Sequence, residues 1–209
     1  MRIVTKSFNV YSMEDVLNDP ELKAKVIENH RYFNVEFNDW HDFIFDAWKE
    51  KLENYGFIMP EINYSGFWSQ GDGASFTCYR VDIPVFLENF NDEIGLTDKQ
   101  KNLLLALMKD YDVFGFEVKR RDHRYCHAHT VYVDTEDCLY HFNGYEHLQA
   151  FLTSAMQRFE DVISDKVIEF SNKIYRELEK EYDYLTSEDA IIESLQANDY
   201  EFTEGGKIY

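Results

Sequence analysis

Proline is nearly absent from this chain, with three in 209 residues, and glycine is sparse at nine. No Pro- or Gly-rich linker, repeat or low-complexity tract divides it, so its length fits one domain spanning 1–209, with 145–209 as a helical C-terminal part. Cys78, Cys126 and Cys138 are odd in number and lack zinc-type spacing, which excludes a disulfide framework and suits free thiols in a reducing cytoplasm. No run of 18 apolar residues is present, so no segment reads as a membrane span, and Met1 to Ser7 lead into no apolar signal region. Positive charge is scarce. Against 40 Asp and Glu stand 21 Lys and Arg, a net charge of -19. That disfavours DNA or RNA as a simple electrostatic ligand, because phosphates are repelled over much of the surface. It permits the opposite, an acidic body competing with nucleic acid for a basic partner.

What is present in excess is rings: fifteen Tyr and seventeen Phe, enough for an unusually aromatic core. Ser12-Met13-Glu14-Asp15 and Thr97-Asp98-Lys99-Gln100 are capping boxes that open helices. Trp40, Phe43, Ile44, Ala47, Trp48 and Leu52 mark a further amphipathic helix ending near Gly56. Residues Val113–Lys119 and Tyr125–Asp134 predict a hairpin closed by residues 120–124. From Glu146 to Tyr182 the apolar positions keep a helical rhythm, roughly 55 Å at 1.5 Å per residue, with room for a break near Ser164-Asp165. Thr186-Ser187-Glu188-Asp189 caps another helix, and Tyr200 to Tyr209 read as a terminal hairpin. The predicted class is α+β: a small antiparallel sheet covered by helices, with a long C-terminal helical element.

Three stretches carry chemistry. The first, Tyr64 to Phe76, reads as an anchored loop in which Trp68, Ser69, Gln70, Asp72 and Ser75 offer polar groups and the glycines bare amides. It matches neither a phosphate-binding P-loop nor a nucleophile elbow. In the second, His127 and His129 share one face if the strand is regular, as acid and base or as metal ligands. A third group has to come from elsewhere, Asp72 or Asp134, and Asp134, like Cys126, falls on the opposite face of a regular strand. The third is a basic turn, Lys119, Arg120, Arg121, His123 and Arg124, followed by Tyr125, suited to a phosphate, an RNA or an acidic partner. Around Tyr175, Tyr182 and Tyr184, the carboxylates Glu177, Glu179, Glu181, Asp183, Glu188 and Asp189 suit a protein contact that imitates phosphates.

The run Ser65-Gly66-Phe67-Trp68-Ser69-Gln70-Gly71-Asp72-Gly73-Ala74-Ser75-Phe76 resembles the signature of a bacteriophage and prophage protein family. Some of its members are labelled "antitoxin of toxin–antitoxin stability system". The stretches His123-Arg124-Tyr125-Cys126-His127, Leu178 to Ser187 and Ala197 to Glu204 resemble it too. The resemblance implies a phage-encoded protein acting in the host bacterial cytoplasm. It points to an inhibitor or antitoxin-like binder of a host protein or ribonucleoprotein complex, of the anti-CRISPR or anti-restriction kind, without a cofactor and with RNA or a nucleotide as an assisting ligand. The alternative is an enzyme on nucleotides or nucleic acid, using His127, His129 and Asp72.

Overall fold

The computed structural model describes residues 1–2, 7–37, 39–121 and 123–209. Asp122 of the expected basic turn lies outside the described residues. The elements run β1 (Val10–Tyr11), α1 (Met13–Asn18), α2 (Pro20–Asn29), α3 (Asp42–Asn54), β2 (Phe57–Ile58), β3 (Glu61–Ser65), β4 (Gly73–Thr77) and β5 (Arg80–Val81). They continue as α4 (Ile83–Ile94), α5 (Asp98–Leu107), β6 (Phe114–Arg120), β7 (Val131–Asp137), α6 (Glu146–Leu185), α7 (Glu188–Ala197) and β8 (Phe202–Thr203). Short antiparallel pairs with seven helices among the described residues make this an α+β protein. None of its helices is long and apolar enough to cross a membrane, among the described residues.

Contacts divide the chain into two compact units: Met1–Asp42 with Leu178–Tyr209, and Phe43–Glu177. In the first, both expected local signals form. Ser12 and Asp15 exchange the reciprocal bonds of a capping box, and Ser187 Oγ accepts from Ala190 N–H. The stripe that begins at Val16 breaks at Asp19-Pro20. Proline has no N–H to give an upstream carbonyl, so it opens α2 while Asp19 caps it. Met13, Val16, Leu22, Val26, Ile191, Leu195 and Phe202 form this unit's core. The terminal hairpin forms as a tight turn, with Phe202 bridging Ile208 and β8 pairing antiparallel to β1.

The second unit is built around Phe159 of α6, fully buried between Phe114 and Phe116 of β6 and Phe86 of α4. Strand β6 pairs with β7 on one side; on the other, Val118 exchanges backbone bonds with Cys78, just past β4. Strand β4 pairs in turn with β3, Ser65 opposite Gly73. Helix α6 is unbroken through Ser164 and Asp165, 40 residues or about 60 Å. Trp48 of α3 donates from Nε1 to Glu177, 2.8 Å away, so that carboxylate is not purely a solvated charge.

Phe159→Ala removes a ring from a site with no exposure, and is expected to lower stability by about 3–5 kcal/mol in urea denaturation. Burial pushes the Cys78 thiol up from its ordinary 9.0 to about 12. The folded state therefore holds a proton that the unfolded chain releases above about pH 9. Its contribution is complete below that pH and lost as pH rises towards 12. Cys78→Ala is expected to flatten the fall in stability measured across that window.

Candidate binding face

The expected loop is shorter than its sequence reading. Gly73 to Phe76 belong to β4, and the turn proper is Gly66 to Asp72. Ser75, expected on that loop, is fully buried in β4, because its partner Asn63 and the core enclose it. Phe67 packs on Tyr64 and Tyr175, at ring separations of 5.3 and 5.5 Å, while Trp68 stands 75% exposed rather than plugging the core. Ser69 and Gln70 are exposed beside it. Asp72 serves the turn itself. Its Oδ2 accepts from Trp68 N–H at 2.9 Å and Ser69 N–H at 2.6 Å, closing the backbone around the carboxylate.

Strand β7 starts only at Val131, so the connection from β6 is ten residues, 121–130, and not a five-residue turn. His127 and His129 therefore do not sit on a regular strand and share no strand face. Thr130 is the cause: its N–H and hydroxyl both donate to His127 C=O, curling residues 128–130 into a single helical turn. The two imidazoles nevertheless remain neighbours, with ring centroids 6.0 Å apart, and His129 N–H donates to His127 Nδ1 at 3.3 Å.

The loop and this connection meet. Tyr125 lies so close against Gly71 that a Cβ there would overlap the ring, and Cys126 N–H donates to Gly71 C=O. Gly71 also has φ +98°, so glycine is required twice over. At Gly73 a Cβ would come within 2.7 Å of His127 Cα. Arg120, expected as a phosphate clamp, is turned inward. Its guanidinium donates to Asn63 Oδ1 at 2.8 Å and to Tyr125 C=O at 2.7 Å, tying β3 to the connection.

The remaining basic residues divide by role. Lys119 bridges Glu117 and Asp134 across the hairpin, and Asp134 first, then Glu117, hold its ammonium above the usual range. Arg124 lies over the Tyr125 ring and Arg121 over Tyr132, at 5.3 and 5.5 Å. Tyr125 stacks towards His127, their planes 22° apart, and His123 is exposed. Arg80 lies on β5 beside β6 and faces Asp112 at 3.7 Å. Cations and rings thus alternate along residues 121–132, the arrangement that stacks flat ligands. Among the described residues, no three His, Cys, Asp or Glu side chains gather as a metal site requires.

Sequence reasoning missed a groove of about 320 Å³ that begins at Arg121, His129 and Tyr132 and ends on α6 at Glu160, Ser164 and Ile168. Its signal was available in part, since Glu160, Ser164 and Ile168 follow one another at i+4 on a helix face. Nothing in the sequence places that face beside β7.

The fold and this face define an α+β protein with an ordered cationic and aromatic surface on an acidic body. A family model described as a domain of unknown function, DUF8835, matches residues 40–188, and the chain belongs to that family. No curated protein and no solved structure matches the chain.

Gly71→Ala is expected to displace Tyr125 and cost about 1–3 kcal/mol, since it adds both backbone strain and overlap. Tyr125→Ala in the same chain should recover the overlap part but not the backbone part, a separation that a double-mutant cycle in urea denaturation measures.

Proposed function

We propose that this chain is a phage-encoded inhibitor of a host nucleic-acid-directed defence system, of the anti-CRISPR or anti-restriction kind. It acts by presenting carboxylates and tyrosines to a site that otherwise holds a polyanion. The observation that carries this reading is the charge of the unit Met1–Asp42 with Leu178–Tyr209, in which 17 acidic side chains face only 7 basic ones. Glu179, Asp183, Glu188, Asp189 and Glu193 are exposed there, and among the described residues only Glu188 of these has an ion pair, to Lys23. Tyr32 and Tyr184 are more than half exposed in the same unit. Unpaired carboxylates accept hydrogen bonds from Arg and Lys as phosphates do, and exposed tyrosine rings supply contact area at low entropic cost. The resemblance to phage proteins supplies the biological setting.

The adjacency of His127 and His129 favours one other reading, an enzyme acting on a nucleotide or nucleic acid. One experiment separates the two. Purified restriction and RNA-guided nuclease complexes from the bacterial host are titrated with the chain, and DNA binding and cleavage are followed. The inhibitor reading expects DNA binding to be lost at an equimolar ratio, unchanged by His127→Ala with His129→Ala. Changing Glu179, Asp183, Glu188 and Asp189 to Gln and Asn should weaken inhibition on the order of tenfold to a hundredfold. Inhibition of none of the complexes, or turnover of a nucleotide substrate abolished by either histidine change, rules it out.

A further inference from the structure

The groove beside α6 has an open strand edge as one wall. Arg121 N–H donates to Thr130 C=O, and Cys138 N–H to Val113 C=O, which fixes the hydrogen-bonding pairs of β6 and β7 at odd positions of β6. Val118 confirms the parity, because both its backbone groups go to Cys78 on the other side. Its partner Val133, and Val131 opposite Arg120, are therefore in non-hydrogen-bonded pairs, with N–H and C=O directed away from β6. Among the described residues no strand pairs with that outer edge. Both valines line the groove.

The walls of the groove differ along its length. Arg121 is bonded at Thr130 and is exposed, as is His129; Val131, Val133, Val167 and Ile168 give the lining its apolar part; and Glu160 is held at Thr135, further along β7. Glu160 is half-buried. Its Oε2 accepts from Thr135 Oγ1 at 3.1 Å, which fixes the carboxylate and leaves the second oxygen to accept. At about 320 Å³ the groove lies at the small end of the roughly 300–1,000 Å³ range of small-molecule sites.

We propose that this groove binds a guanine nucleotide, with the phosphate at Arg121 and His129 and the base on the valines against Glu160. A carboxylate only accepts hydrogen bonds, and guanine alone among the bases offers it two adjacent N–H donors, at N1 and N2. Adenine and uracil bring acceptors beside their single donor group, which a carboxylate repels. The outward N–H of the β7 edge supplies a donor for guanine O6. The Arg121 guanidinium, already placed over the Tyr132 ring, is oriented for phosphate at the rim. This inference does not depend on the inhibitor reading, because it concerns residues outside the acidic unit.

Calorimetric titration of the full chain at low salt tests it, with GMP, AMP, guanosine and a short oligouridylate carrying one guanine as probes. GMP is expected to bind saturably and about tenfold or more tighter than AMP. Glu160→Gln keeps an acceptor for Thr135 and should bring GMP and AMP together. Arg121→Ala should weaken GMP about tenfold and leave guanosine unmoved. GMP bound without the oligonucleotide identifies a free nucleotide as ligand, and tighter binding of the oligonucleotide identifies single-stranded RNA; either result supports the site. Saturable binding by neither, equal affinity for GMP and AMP, or GMP affinity unmoved by both substitutions overturns it. Circular dichroism of each variant verifies that the fold is retained.

Discussion

Arg120 holds the working face of this protein together. Its guanidinium reaches Asn63 on one strand and the Tyr125 carbonyl on the connection, so three separate stretches of chain share one cation. The planar fork makes that possible, and a lysine ammonium at the same place offers no equivalent geometry. Around this fixed point Tyr125 settles on Gly71, His127 passes over Gly73, and Asp72 gathers the amides of Trp68 and Ser69. The ordering is internal. The same contacts that shape the surface remove Arg120, Asp72 and Ser75 from the groups a ligand could meet.

How much of this was legible in the sequence follows the range of the interactions concerned. Capping at Ser12 and Thr97 depends on residues three positions apart, and both caps form as their spacing predicts, while within Thr186 to Asp189 the cap falls on Ser187. The long helix is equally local, and its uninterrupted i+3/i+4 pattern runs through Ser164 without a kink. The extent of β7 was not legible, because Thr130 takes His127 C=O out of any strand ladder and no pattern of apolar residues announces that. Which ring of the turn packs inward was not legible either, for the same kind of reason. Phe67 beside Trp68 fills the anchoring position against Tyr175, more than a hundred residues later in the chain. The α6 wall of the groove was invisible because it depends on where a helix lies relative to a strand edge.

Charge is distributed with purpose across the two units. The unit holding both ends of the sequence is densely acidic, while the other concentrates cations in residues 119–124. An acidic chain that still keeps Arg121 and Arg124 over rings has its positive potential concentrated in one region and negative charge elsewhere. Such a layout gives selectivity through repulsion as much as through attraction.

The link between Asn63 and Arg120 spans 57 positions. Helical caps close as soon as their own few residues meet, whereas this bond waits until β6 has returned beside β3 and a large loop entropy has been overcome. Once made, the bond couples Asn63, Arg120 and the Tyr125 carbonyl, so a change at any one of them is felt by the other two.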